Sequence, residues 1–94
     1  MRVVGRIRLE KFASQHADAR TQLDAWLCEA EEADWRVPMD VKARFPSASI
    51  LPDDRVIFNI KGNRYRLETK ISYEVKVVLI MRIGTHAEYS KWKS

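Results

Sequence analysis

The run Arg55-Val56-Ile57-Phe58-Asn59-Ile60-Lys61-Gly62-Asn63-Arg64-Tyr65-Arg66-Leu67 decides the fold. Val56, Phe58 and Ile60 fall on one side of a strand from Arg55 to Ile60. Lys61-Gly62-Asn63 then reads as a hairpin turn, with glycine supplying the positive φ. A second strand follows from Arg64 to roughly Tyr73. Along it Tyr65, Leu67, Thr69, Ile71 and Tyr73 point one way, and Arg64, Arg66, Glu68 and Lys70 the other. One face of this hairpin belongs in a core, while the opposite face carries cations.

Working outward, a turn near Tyr73-Glu74 leads into a third strand, Val75 to Ile83. Its Val77-Val78-Leu79-Ile80 segment is apolar on both faces, which suits the interior of a sheet, and Gly84 is expected to end it. Residues 86–94 read as a final helical turn or a loose tail. Upstream, Val3 and Val4 suggest a brief strand, and Leu9, Phe12, Ala13 and His16 form the stripe of a short amphipathic helix. Asp18 is the expected N-cap of the next helix, whose stripe is Leu23, Trp26, Leu27 and Ala30. Pro38 can open a third, short helix carrying Val41 and Phe45, which Pro46 stops. Residues 47–54 form a loop in which Ile50 and Leu51 suggest one more short strand. The expectation is an α+β domain over residues 1–94, with a helical hairpin on one face of a small, mainly antiparallel twisted sheet. The other face is left partly open.

Ninety-four residues, 46% hydrophobic and 32% charged, suit one globular domain with a modest core. No apolar run approaches the roughly 20 residues that span a bilayer, and Met1 to Arg6 lacks the apolar region of a signal peptide. Cys28 is the single cysteine, so a cytoplasmic location is the simplest expectation. The net charge of +4 is unevenly spread. Residues 1–53 hold eight Lys/Arg against nine Asp/Glu, and residues 54–94 hold nine against four. A polyanionic partner and a merely solvated basic surface explain that asymmetry equally well.

His16, His86 and Cys28 lie far apart in sequence, and no carboxylates pair at a strand end, so no metal site is expected. Only three glycines are present and none builds a phosphate loop, so no cofactor is expected either. RNA nevertheless can be cut by side chains alone, because its 2′-OH is a built-in nucleophile. A protein must supply a base, an acid and cations for the phosphorane charge. Arg66 and Arg64 suit the cationic role, and Arg82 on the neighbouring strand reaches the same expected face. His86 is the natural proton-transfer group, with Tyr89 as a proton donor or stacking platform. Lys70 and Lys91 add positive charge for RNA. Each residue also has a plain structural explanation: His86 as a capping residue, Tyr89 and Trp92 as pins for the tail, Arg64 and Lys70 as solvated edge groups. Glu68 is placed to neutralise Arg66 or Lys70.

Several blocks together resemble the HigB toxin family, within the RelE-like superfamily of bacterial toxin–antitoxin systems. They are Ala33-Asp34-Trp35, Asp40-Val41-Lys42, Phe45-Pro46-Ser47-Ala48, Arg55 to Ile60, Gly62-Asn63-Arg64-Tyr65-Arg66-Leu67 and Gly84-Thr85-His86-Ala87-Glu88-Tyr89. The resemblance runs over nearly the whole chain. It implies a RelE-like fold and a ribosome-dependent, metal-independent mRNA endonuclease, neutralised by a HigA-like helix-turn-helix antitoxin in a heteromeric complex. It also implies that Arg66 is the active-site cation and that His86 and Tyr89 take part in proton transfer. A non-catalytic RNA- or partner-binding module and a gyrase-poisoning relative are the alternative expectations.

Overall fold

The computed structural model describes residues 1–92. The hairpin that decides the fold is present as β3 (Arg55–Ile60) and β4 (Tyr65–Ser72), paired antiparallel from Arg55 opposite Lys70 to Ile60 opposite Tyr65. Lys61 and Gly62 both take positive φ in the connecting turn. The third strand of the meander, β5, covers Val77–Thr85. It therefore starts later than expected, because Tyr73 to Lys76 form the turn and Val75 is exposed there.

Two short strands complete the sheet. β1 (Arg2–Val4) lies parallel to β5 opposite Val77–Leu79, and β2 (Ser49–Leu51) pairs antiparallel with β3. The order is β1-β5-β4-β3-β2, so the apolar β5 does sit inside the sheet. The helices are α1 (Arg6–Gln15), α2 (Arg20–Glu32), α3 (Pro38–Arg44) and α4 (His86–Lys91). A 3-10 turn at Ala17–Ala19 separates α1 from α2. The expected tail to residue 94 is thus a helix followed by Trp92, and its last two residues lie outside those described.

Apolar periodicity explains which faces are covered. Leu9, Phe12 and Ala13 of α1 and Leu23, Trp26 and Ala30 of α2 are buried against Val56, Phe58, Ile60, Leu67 and Ile71 of the sheet. Phe58 is the hub, with ring centroids 5.3 Å from Trp26, 5.1 Å from Phe45 and 6.3 Å from Trp35. Burying an aromatic of this size is worth about 1.5–3 kcal/mol, and this cluster is the main apolar driving force on that side. Pro38 starts α3, and the Asp40 carboxylate accepts from the Arg36 N–H at 2.9 Å and the Val37 N–H at 3.3 Å.

Two expectations need correction. Asp18 is not the cap of α2. That helix begins after Ala19 without a side-chain cap, and Asp18 instead accepts from the Tyr65 hydroxyl at 2.5 Å and from Arg64 at 2.8 Å. Gly84 does not end β5, which runs on through Thr85. The face opposite α1 and α2 is partly open, as expected, and α4 turns back across one end of it. A Cβ on Gly84 would come within 2.9 Å of Trp92 and 3.1 Å of Glu88, so glycine is what allows that return.

Candidate functional site

β4 carries the groups that matter, and its neighbours present them. Asn59 of β3 pairs with Arg66 and Ile57 with Glu68, while on β5 Gly84 opposes Arg66 and Arg82 opposes Glu68. The register then slips: Thr69 opposes Ile80, so Met81 is an extra residue in β5. Such a bulge moves the following residues to the other face. Ile80 is accordingly buried beneath the helices, whereas Arg82, two residues later, reaches Glu68 on the opposite face.

Glu68 is the unexpected centre of this surface. Only 4% exposed, it accepts from Arg82 Nε at 2.7 Å and lies 3.5 Å from Nη1 of Arg55. A carboxylate so enclosed is tolerable only when its oxygens are matched by cations and hydrogen bonds, and both arginines supply them. The expectation that Glu68 neutralises Arg66 or Lys70 is therefore wrong. Arg66 keeps its charge free of any carboxylate among the described residues; its Nη1 donates to the Asn63 carbonyl at 2.9 Å.

α4 supplies the other wall. The Thr85 hydroxyl accepts from the Glu88 N–H at 3.2 Å, and the Glu88 carboxylate accepts from the Thr85 N–H at 2.8 Å. This reciprocal cap fixes where the helix starts and was readable from the Thr85-x-x-Glu88 spacing. His86 is pinned by its backbone N–H to the Arg64 carbonyl at 2.9 Å, and its side chain is exposed. One turn on, Tyr89 lies with its ring centroid 6.4 Å from the imidazole and 5.5 Å from Trp92. The Arg66 guanidinium sits 5.0 Å from the Tyr89 ring centroid, and the Arg82 guanidinium 4.3 Å from that of Trp92. Two cations are thus held against two rings, one in α4 and one just after it, each contact contributing about 0.5–2 kcal/mol.

The structure brings together Arg66, His86, Tyr89 and Arg82. Lys70 is exposed on the same strand face, two residues past Glu68, opposite Arg55 and Leu79. Lys91 is exposed near the end of α4 and takes part in none of these contacts. Arg64 is not in the set. It precedes β4, and its guanidinium turns to Asp18 between α1 and α2. The Tyr65 hydroxyl, helped by Arg64, holds the Asp18 carboxyl below its usual value, and Asp18 in turn pushes the Tyr65 phenol up. Sequence reasoning missed Arg55 and Trp92 as members of the site. Arg55 had a signal, since it is out of phase with Val56, Phe58 and Ile60.

Among the described residues no three His, Cys, Asp or Glu side chains gather as metal ligands, and no helix is long and apolar enough to cross a membrane. The family described as HigB_toxin, a RelE-like toxic component of a toxin–antitoxin system, matches residues 19–92. The chain belongs to the HigB toxin family. The match takes in all of α2 through α4 and leaves out β1 and α1, so it is shorter at the N-terminus than the resemblance suggested. No curated protein matches the chain. As a HigB toxin the protein is the toxic half of a toxin–antitoxin pair, which implies an antitoxin partner. Its mixed five-stranded sheet with N-terminal helices is compatible with a RelE-like fold.

Proposed function

We propose that this HigB toxin is a metal-independent mRNA endonuclease that acts on the translating ribosome in the cytoplasm. Its partner is a HigA-like helix-turn-helix antitoxin, which silences it in a heteromeric complex. The observation that carries this reading is the grouping of Arg66, Tyr89 and His86: a guanidinium with no carboxylate partner among the described residues, held against a phenol ring that also neighbours an exposed imidazole.

In the proposed reaction a base takes the proton from a ribose 2′-OH, and the oxygen attacks the adjacent phosphorus. The P–O5′ bond then breaks, an acid protonates the departing O5′, and a 2′,3′-cyclic phosphate and a 5′-OH remain. His86 and Tyr89 carry the two proton transfers, and Arg66 neutralises charge on the non-bridging oxygens. Stacking on Tyr89 fixes the Arg66 guanidinium before substrate arrives, so little reorganisation is needed in the transition state. Arg82, Lys70 and Lys91 bind the flanking RNA through its phosphates. Arg64, held by Asp18, is left out of this set.

The test is induction of the wild type, Arg66→Ala and His86→Ala, with primer extension on cellular mRNA and growth as readouts. Discrete new 5′ ends and growth arrest are expected from the wild type, with cutting reduced about 10²-fold or more in each variant while antitoxin binding persists. Arrest with intact transcripts favours a non-catalytic binding module. Arrest with intact transcripts and DNA damage favours the gyrase-poisoning alternative.

A further inference from the structure

A cavity of about 290 Å³ is lined by Arg55, Ile57, Glu68, Arg82, Tyr89 and Trp92. That volume is at the lower end of small-molecule sites, close to about 300 Å³, and suits a single flat ring system. Tyr89 is a shared wall, facing this cavity while stacking on Arg66. A nucleotide whose phosphate sits on Arg66 therefore has its neighbouring base within reach of the cavity. We infer that this cavity receives a guanine base next to the cleaved linkage, read through its O6 and N7 acceptors. The inference rests on the nuclease reading above.

Two arginines alone would suit a phosphate as well. Glu68 argues against that, because a carboxylate between the two guanidinium groups cancels one charge and repels an anion. The buried Ile57 and the two aromatic rings also match an apolar ring face better than a phosphate. Arg66 has no such carboxylate among the described residues and remains the better phosphate ligand.

The hydrogen-bonding groups left over select the base. Arg82 gives its Nε to Glu68, and its two terminal nitrogens donate to nothing among the described residues. Arg55 gives Nε to the Pro52 carbonyl at 3.4 Å and Nη1 to Glu68, leaving Nη2. Both Glu68 oxygens already accept, and the side chain is nearly inaccessible. The arginine side of the cavity thus offers donors and no free acceptor among the described residues, and the hydroxyl-bearing residues Tyr89 and Ser90 lie on the α4 side. Guanine presents two adjacent acceptors, O6 and N7, which a guanidinium fork can bridge. With the edge away from the ribose leading into the cavity, adenine and cytosine would turn an amino donor toward the same N–H groups and uracil would offer a single acceptor, O4, while the paired acceptors of cytosine, O2 and N3, lie on the edge beside the ribose. Trp92 and Glu68 hold the Arg82 plane from two sides, so the fork is set before the base enters.

The experiment uses the full chain with ribosomes programmed by short synthetic mRNAs carrying either guanine or 7-deazaguanine, in which N7 is replaced by C–H. Cut positions and rates are read for the wild type and for Arg82→Lys, which keeps the charge and loses the fork. Wild-type cutting is expected beside guanine and about tenfold slower beside 7-deazaguanine. Arg82→Lys should erase that difference. Cutting by the wild type without dependence on guanine or its N7 overturns the inference and leaves the nuclease reading standing. A uniform loss in Arg82→Lys, with the 7-deazaguanine effect retained, also overturns it. Failure of the wild type to cut any RNA overturns the nuclease reading itself. Because the 7-deazaguanine arm uses the unaltered protein, a folding defect in the variant cannot mask the answer.

Discussion

Leu67 and Glu68 are neighbours on β4 and are almost equally hidden from water, at 0% and 4% exposure. Leu67 faces α1 and α2 and belongs to the aromatic and aliphatic core, where burial is favourable through lost apolar hydration. Glu68 faces the other way and is buried only because Arg55, Arg82 and the returning α4 enclose it. The helix-covered face spends its contacts on stability. The α4 face instead holds charged groups in fixed positions at a desolvation cost, and such an arrangement is more useful for binding anionic or polar ligands than for stabilising the fold. One strand thus serves both ends through the two-residue period of its side chains.

Removing the apolar side of that contrast should have the largest effect. Leu67→Ala is expected to cost about 2–5 kcal/mol, read by denaturant unfolding, since the residue has no exposure and its neighbours cannot fully collapse. A cost near zero would mean that the two faces are not divided as described.

Gly84→Ala should separate the faces. Its new methyl meets Trp92 at 2.9 Å and Glu88 at 3.1 Å, so α4 must lift from the sheet. We expect a loss of about 1–3 kcal/mol, together with a disproportionate loss of toxicity, because Tyr89 and Trp92 leave their arginines. Thermal melts and growth assays on the same variant check both. Full toxicity with α4 displaced would break the link between this helix and function.

The smallest effect is expected at Asp18, which ties the α1–α2 junction to the start of β4. Its carboxyl is held low, first by the Tyr65 hydrogen bond, so its contribution is present above the ordinary carboxylate value and lost as pH falls through the lowered one. The Tyr65 phenol is held high, first by Asp18, so that contribution is present below its ordinary value and lost as pH rises through the raised one. Melting temperatures of wild type and Asp18→Asn should therefore differ most between about pH 4 and about pH 10 and converge outside that window. A constant gap at all pH values would remove Asp18 from this role.

Much of the fold was legible because apolar periodicity is a local record of burial. Val56-x-Phe58-x-Ile60 gave β3 its span, and Leu23, Trp26 and Ala30 gave α2 its buried stripe. The site was legible in part. Arg66, His86 and Tyr89 were expected from residue type and resemblance, and the structure places Arg66 and His86 each next to Tyr89. Arg64 was misplaced because strand alternation was extended one residue into a turn, where Asp18 captures it. Arg55 and Trp92 were passed over because their importance comes from Glu68 and Arg82, which are distant in sequence.

Taken alone, the order of residues determined the α+β class, the helical hairpin and the antiparallel meander, since hydrophobic period and turn chemistry act over a few neighbouring positions. It also determined the HigB family, through blocks spread along most of the chain. Only the tertiary structure decided that Met81 is an extra residue in β5, that Arg82 meets Glu68, and that α4 folds back over Gly84 to lay Tyr89 and Trp92 on two arginines. Those outcomes depend on strand register and on space between elements far apart in the chain, quantities that no local pattern encodes.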